Sequence, residues 1–157
     1  MRQLSLRPLQ DGDVKLLEQW LYTPHVAKWY HDPLDWMNEV KRRKIEFSFL
    51  RHFIVKAEGR PIGFCQYYEY RLGGEDWHGG TDINGAYSID YLIGDPEYLG
   101  KGYGKGMVRL LIQAIKTHEN ASRIIALPEQ ENKASGSTLL SCGFSFDREH
   151  GFYTMEL

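Results

Sequence analysis

The chain has 157 residues and carries 19 Lys and Arg against 21 Asp and Glu, with a pI near 6.3. It therefore lacks the basic surplus that a nucleic-acid or anionic-membrane surface demands. Its 42% hydrophobic and 25% charged residues are those of a globular protein, long enough for one core and expected to form a single domain over 1–157. No apolar run approaches membrane-spanning length, and Met1 to Arg7 contains no apolar leader segment, so the chain is expected in the cytoplasm.

In chain order, Arg2 to Leu6 alternates as a first strand. Asp11-Gly-Asp13 offers an N-cap for a helix carrying Val14, Leu16, Leu17, Trp20 and Leu21 at helical spacing. Thr23-Pro24-His25 breaks that helix. The aromatic stretch Trp29-Tyr30-His31-Asp32-Pro33 precedes a second helix expected from Leu34 to Leu50, whose basic run Lys41-Arg42-Arg43-Lys44 reads as a solvated face. His52–Ala57 and Pro61–Tyr70 form a predicted hairpin around Glu58-Gly59-Arg60. A polar, glycine-rich segment follows to Gly85, and Ala86–Ile93 is a strand by its β-branched and aromatic content.

After the Gly94-Asp95-Pro96 stop, Gly100, Gly102, Gly104 and Gly106 alternate with Lys101, Tyr103 and Lys105 ahead of an amphipathic helix that runs to Glu119. Bare backbone at a helix start leaves unpaired N–H groups and the positive end of the dipole facing an anion, which outlines a phosphate cradle. The spacing excludes a Walker loop, since no Ser or Thr follows either lysine, and it excludes the Gly-x-Gly-x-x-Gly dinucleotide fingerprint. A glycine-rich cap without a ligand is the remaining alternative.

A strand at Arg123–Leu127, a short helix over Asn132–Ser141 stopped by Cys142-Gly143, and a hairpin of Phe144–Arg148 with Phe152–Leu157 complete the chain. The element order predicts an α/β (α+β) fold, a mixed and mostly antiparallel sheet of about seven strands with helices on both faces. Cys65 and Cys142 are isolated, and His25, His31, His52, His78, His118 and His150 form no paired ligand spacing, so no metal site is expected.

The pattern Leu99-Gly100-Lys101-Gly102-Tyr103-Gly104 resembles the loop of the GCN5-related N-acetyltransferase (GNAT) superfamily, with Leu99 where that family usually has Gln or Arg. Asn132 and Gly143-Phe144 match a second signature of the family near the C-terminus. There Leu139 stands in the place of the family's tyrosine, with Ser137 and Thr138 as the neighbouring hydroxyls. Gly63-Phe-Cys-Gln66-Tyr-Tyr68, Ser88-Ile-Asp90-Tyr-Leu, the glycine loop and Val108-Arg109 together look like the aminoglycoside 6'-N-acetyltransferases. The resemblance implies a GNAT-like fold and acetyl-coenzyme A as cofactor, held by the strand at Tyr91, Leu92 and Ile93, by Leu99, Gly100, Lys101, Gly102, Tyr103, Gly104 and Lys105, and by Asn132. In the resembled enzymes the missing tyrosine protonates the departing thiolate.

An independent argument points to a cationic acceptor. Between Glu69 and Glu97 stand seven acids (Glu69, Glu75, Asp76, Asp82, Asp90, Asp95 and Glu97) and one Lys or Arg, Arg71. Such a cluster focuses negative potential and attracts a polyamine or aminosugar, although a solvated acidic loop would read the same way over Glu75–Asp82. A carboxylate inside the strand at Asp90 is costly to bury unpaired. Asp90 is therefore the candidate base for stripping a proton from a primary ammonium.

Candidate substrate contacts are Trp29, Tyr30, Gln66, Tyr68, Glu75, Asp76, Trp77 and Asp82, together with Asp90. The high aromatic content, 13%, fits either a ring-lined site or a ring-rich core. A protein or peptide N-acetyltransferase, and a coenzyme-A-binding sensor with weak catalysis, are the alternative functions.

Overall fold

The computed structural model describes residues 3–157, so the predicted strand residue Arg2 lies outside the described residues. Its strands are β1 (Leu4–Pro8), β2 (Arg51–Ala57), β3 (Arg60–Glu69), β4 (Ala86–Ile93), β5 (Arg123–Ala126), β6 (Ser145–Asp147) and β7 (Phe152–Glu156). The helices are α1 (Val14–Leu21), α2 (Pro24–Ala27), α3 (Pro33–Lys41), α4 (Tyr103–His118) and α5 (Lys133–Ser141). Among the described residues the strands form one sheet of order β1-β2-β3-β4-β5-β7-β6, antiparallel throughout except for the parallel pair β4 and β5.

Period-two alternation sends the strand residues to the two faces of the sheet, with a smaller third cluster of Tyr70, Ala86, Ile125 and Phe152. Ile54, Phe64 and Leu92 pack under Leu17 and Leu21 of α1 and Met37 and Val40 of α3. On the other face Val55, Cys65, Ile89 and Ile124 meet Met107, Val108, Leu111 and Ile115 of α4 and Leu139 of α5. Each fully buried aliphatic side chain there contributes about 1.5 to 3 kcal/mol relative to exposure. The β2–β3 turn takes positive φ at Glu58 (48°) and Gly59 (82°), the two-residue geometry that matches strand twist.

The second predicted helix is corrected: α3 stops at Lys41 instead of Leu50. Four consecutive like charges repel, and Phe47, Ser48 and Phe49 beyond them are weak helix formers. The basic run is also not simply a solvated face. Arg43 donates to the Val40 carbonyl at 2.8 Å and pairs with Asp11, and Arg42 pairs with Glu46. After the break at Thr23, Pro24 opens an extra single turn, α2, since proline suits the first helical position. Asp13 does not cap α1 through its side chain; its carboxylate accepts from the Gln10 amide at 2.7 Å and from Arg7 at 2.8 Å.

One feature of the sheet positions the site. β4 pairs with β5 only over Ala86–Ser88, against Arg123–Ile125, whereas it pairs with β3 along Tyr87–Ile93. Beyond Ser88 the two parallel strands part, and the sheet opens into a gap.

Candidate active site

A cavity of about 690 Å³ occupies this gap and passes from one face of the sheet to the other. On the α1–α3 face its walls include Trp29, Tyr30, Trp36, Tyr68, Glu75, Trp77 and Asp90. On the α4–α5 face they include Leu99, Gly104, Asn132, Ser135, Thr138 and Leu139, with Tyr91, Leu92 and Ile93 of β4 along the wall between.

Asp90 sits at the centre of the α1–α3 side because β4 alternation turns it to the same face as Ser88 and Leu92. Gln66, its register partner on β3, donates from Nε2 to Asp90 Oδ2 at 2.8 Å. Burial pushes the Asp90 carboxyl up to about 6; the Gln66 bond opposes this and the Glu75 charge adds to it. Glu75 is held by the Tyr68 hydroxyl and by Trp77 Nε1 at 2.9 Å. Tyr30 meets Trp36 edge-on, with ring centroids 5.1 Å apart. The Tyr68 hydroxyl is shifted upward by burial and by Asp90 and Glu75, so it stays a neutral donor.

The open edge of β4 is partly capped. The Tyr30 hydroxyl donates to the Tyr91 carbonyl at 2.5 Å, and His25 Nε2 lies 2.8 Å from the Ile93 carbonyl. Gly94 N–H bonds the Ile62 carbonyl at 2.8 Å, so even-numbered residues of this stretch turn to β3 and odd-numbered ones to the gap. The amides of Tyr91 and Ile93 thus point into the cavity.

The glycine ladder divides into two kinds. Gly100 and Gly102 take left-handed φ of 69° and 85°, and Gly102 forms the N-cap of α4 without a capping side chain. A Cβ on Gly104 would meet only Thr138, at 3.9 Å, so the backbone there faces open space. Gly106 is a packing glycine, since a Cβ would fall 2.6 Å from Leu4 of β1. Tyr103 is buried in the core against Tyr98, with ring centroids 5.2 Å apart, and so its side chain does not face the cavity. Lys101 is exposed and Lys105 half-buried beside the α4 start.

Asn132 caps α5, accepting from the Ser135 amide at 3.1 Å. Gln66 lies beneath Asp90 as its support. Asp76 and Asp82 are corrected: neither lines the cavity. Asp82 closes a local turn onto the Asn84 amide at 3.0 Å, and its own carbonyl accepts from Arg123 at 2.7 Å, which fixes it at the far end of β4.

Trp36 of α3 is a cavity residue that escaped the sequence reading; Glu39, one helical turn on, lies outside the cavity lining. Glu39 is pushed up to about 7 by burial first, then by the charges of Asp90, Asp35 and Glu75.

A split sheet whose gap joins a bare helix start to a buried carboxylate is a group-transfer frame, and comparison with known proteins gives the class. Residues 10–152 match the family model described as an acetyltransferase (GNAT) domain. The chain belongs to the GNAT acetyltransferase family. It is an acetyl-coenzyme A-dependent N-acetyltransferase.

An aminoglycoside N(6')-acetyltransferase type 1 from Klebsiella pneumoniae is 24% identical over 135 residues, covering 82% of this chain and 67% of the relative. An N-hydroxyputrescine acetyltransferase from Acinetobacter baumannii is 22% identical over 131 residues, covering 75% of this chain and 57% of the relative. The crystal structure of an aminoglycoside acetyltransferase in complex with coenzyme A superposes with a TM-score of 0.84 at 23% identity, covering 98% of this chain and 95% of that one, which shows the shared fold.

The residues present fit acetyl-coenzyme A. The first-turn amides of α4 lack intrahelical partners, the Gly104 surface is open, and the β4 edge offers backbone groups along the gap. No helix among the described residues is long and apolar enough to cross a membrane.

Proposed function

We propose that the protein acetylates a primary amine of a small polycationic acceptor, an aminoglycoside or a related polyamine, with Asp90 as the base. The carrying observation is Asp90 itself, a carboxylate raised to about 6 in a cavity walled by rings and by Glu75. That value leaves it mostly ionised at neutral pH yet basic enough to accept a proton, the compromise a general base needs. The resemblance of the curated relatives to this chain, both of them acting on amines by their names, supports the same substrate class.

Bound acetyl-coenzyme A supplies an acetyl group on a thioester carbonyl. The α4 start, Gly100 to Lys105, would hold its phosphates, and the β4 amides of Tyr91 and Ile93 would bind along its pantetheine arm. Asp90 takes one proton from the acceptor's ammonium and so frees the nitrogen lone pair. Glu75, fixed by Tyr68 and Trp77, attracts the other ammonium groups, while Trp29, Tyr30 and Trp36 offer ring faces and edges to the acceptor's body. Each well-placed cation–π contact adds about 0.5 to 2 kcal/mol.

The test is free-thiol release from acetyl-coenzyme A with a panel of kanamycin-like compounds, spermidine, a neutral-bodied monoamine and peptides. Aminosugars or polyamines should turn over fastest, and their KM should climb with salt as screening weakens the acidic pocket. Preference for peptides would make the protein a peptide acetyltransferase. Coenzyme A binding without thiol release from any amine would make it a sensor.

A further inference from the structure

Leu139 is fully buried in the α4 core and offers no proton to a departing thiolate. Ser137 is exposed on the outer side of α5, and Thr138 lies against Gly104 at the phosphate end of the cavity. Of the other hydroxyls lining the cavity, Ser88 and Tyr68 stand on the Asp90 side, Tyr30 donates to the Tyr91 carbonyl, and Tyr91 and Ser135 share the α5 side. Tyr91 reaches across the gap from β4, and its hydroxyl lies 2.5 Å from Ser135 Oγ in the first turn of α5. It is the sequence neighbour of Asp90 but projects to the opposite face of the sheet, so the two groups flank the gap from its two sides. Ser135, one helical turn before Leu139, is fixed by the Asn132 cap, so the Tyr91 hydroxyl is tethered to the first turn of α5.

We propose that the Tyr91 hydroxyl donates a hydrogen bond to the sulfur that leaves when the acetyl group is transferred, filling the role that Leu139 cannot. This rests on the acetyltransferase reading above. In the step, one ammonium proton goes to Asp90 before attack, the carbon–nitrogen bond forms and the carbon–sulfur bond breaks, the nitrogen's second proton leaves to solvent as the amide forms, and the electron pair departs on sulfur against the Tyr91 O–H. Full proton transfer from Tyr91 is not required. Burial pushes its hydroxyl up to about 12, so it stays protonated while the thiolate, whose thiol has a pKa of about 8.5, takes its proton from solvent. Ser135 Oγ is free to rotate its own proton toward the tyrosine oxygen and sharpen the donor. The charges of Cys142, Asp90 and Tyr153 add to that upward push and the Ser135 bond opposes it. Asp90 acts from the other face of the sheet, and the Cys142 thiol is itself raised by burial.

The experiment is a pH titration of coenzyme A bound to wild type, Tyr91→Phe and Ser135→Ala, read by ultraviolet thiolate absorbance, with kcat measured alongside. In the wild type the bound thiol should titrate about one unit below its free value, a tenfold preference for thiolate. Tyr91→Phe should abolish that shift, keep coenzyme A bound and its melting temperature near wild type, and lower kcat by about 10²-fold, as loss of a single preorganised donor does. Ser135→Ala should retain most of the shift. An unshifted wild-type thiol, an unchanged shift in Tyr91→Phe, or complete loss in Ser135→Ala would each overturn the assignment. A wild type that releases thiol normally while Tyr91→Phe does so equally well would overturn it and leave the acetyltransferase reading standing. A wild type that binds no coenzyme A would overturn both.

Discussion

Asp90, as the proposed base, carries opposite signs for stability and for function. Its carboxyl titrates from 3.8 in a solvated chain to about 6 in the fold, so between those values the folded state holds the extra proton and stability falls as pH rises. Above about pH 6 the protein bears the full cost of a buried anion. Asp90→Asn, nearly isosteric and unable to ionise, is expected to raise stability at pH 8 by about 1 to 3 kcal/mol. The same change should lower kcat/KM by about 10² to 10⁴ and remove the rise of the wild-type rate through an ionisation near 6. Thermal melts and turnover on one preparation check both, and unchanged turnover would remove Asp90 from the chemistry. That this residue is special was legible in the sequence, because a carboxylate inside an apolar strand needs a reason. Asp82 was not distinguishable there from Glu75, since both stand in one acidic stretch, and only tertiary contacts send one to Arg123 and the other to Tyr68 and Trp77.

At the scale of elements, α4 combines two tasks in one glycine series. Gly106 lets the helix press on Leu4 of β1, whereas Gly104 meets nothing but Thr138 and leaves its backbone open to the cavity. Gly104→Val should therefore fold, since a helical glycine gains from any side chain, yet thrust methyl groups into the proposed phosphate cradle. Calorimetry should show coenzyme A affinity falling at least tenfold with little change in melting temperature, and an unchanged affinity would place the phosphates elsewhere. β4, α4, α5 and the terminal hairpin were readable from periodicity and stop signals, with bounds displaced by a residue or two. The C-terminus of α3 was only partly legible: the charge run and the weak helix formers after it were on the page, but Arg43 also bonds the Val40 carbonyl and pairs with Asp11, thirty-two positions upstream. That distant partner has no local sequence marker. α2 was hidden for the opposite reason: the Pro24 that breaks α1 also starts the next turn.

For the molecule as a whole, the parallel contact between β4 and β5 covers three residue pairs, and α4 packs across both sides of it. The sheet is thus continuous from β1 to β4 and again from β5 to β6, but joined at one end only. Its strand order could be read as mostly antiparallel from the element sequence, whereas the gap could not, since nothing in Ala86–Ile93 marks where a neighbour departs.

The parting of β4 from β5 leaves a record in solvent exchange. Asp90 and Leu92 turn their amides to β3, while Tyr91 and Ile93, three and five residues past the last β5 pairing at Ser88, turn theirs to the cavity. Deuterium uptake along this single strand should therefore alternate, slow at 90 and 92 and fast at 91 and 93, in contrast with the uniform protection of a central strand hydrogen-bonded on both sides. Addition of coenzyme A should slow the fast pair and flatten the alternation. Equal protection at all four positions without ligand would mean that the edge is closed in solution.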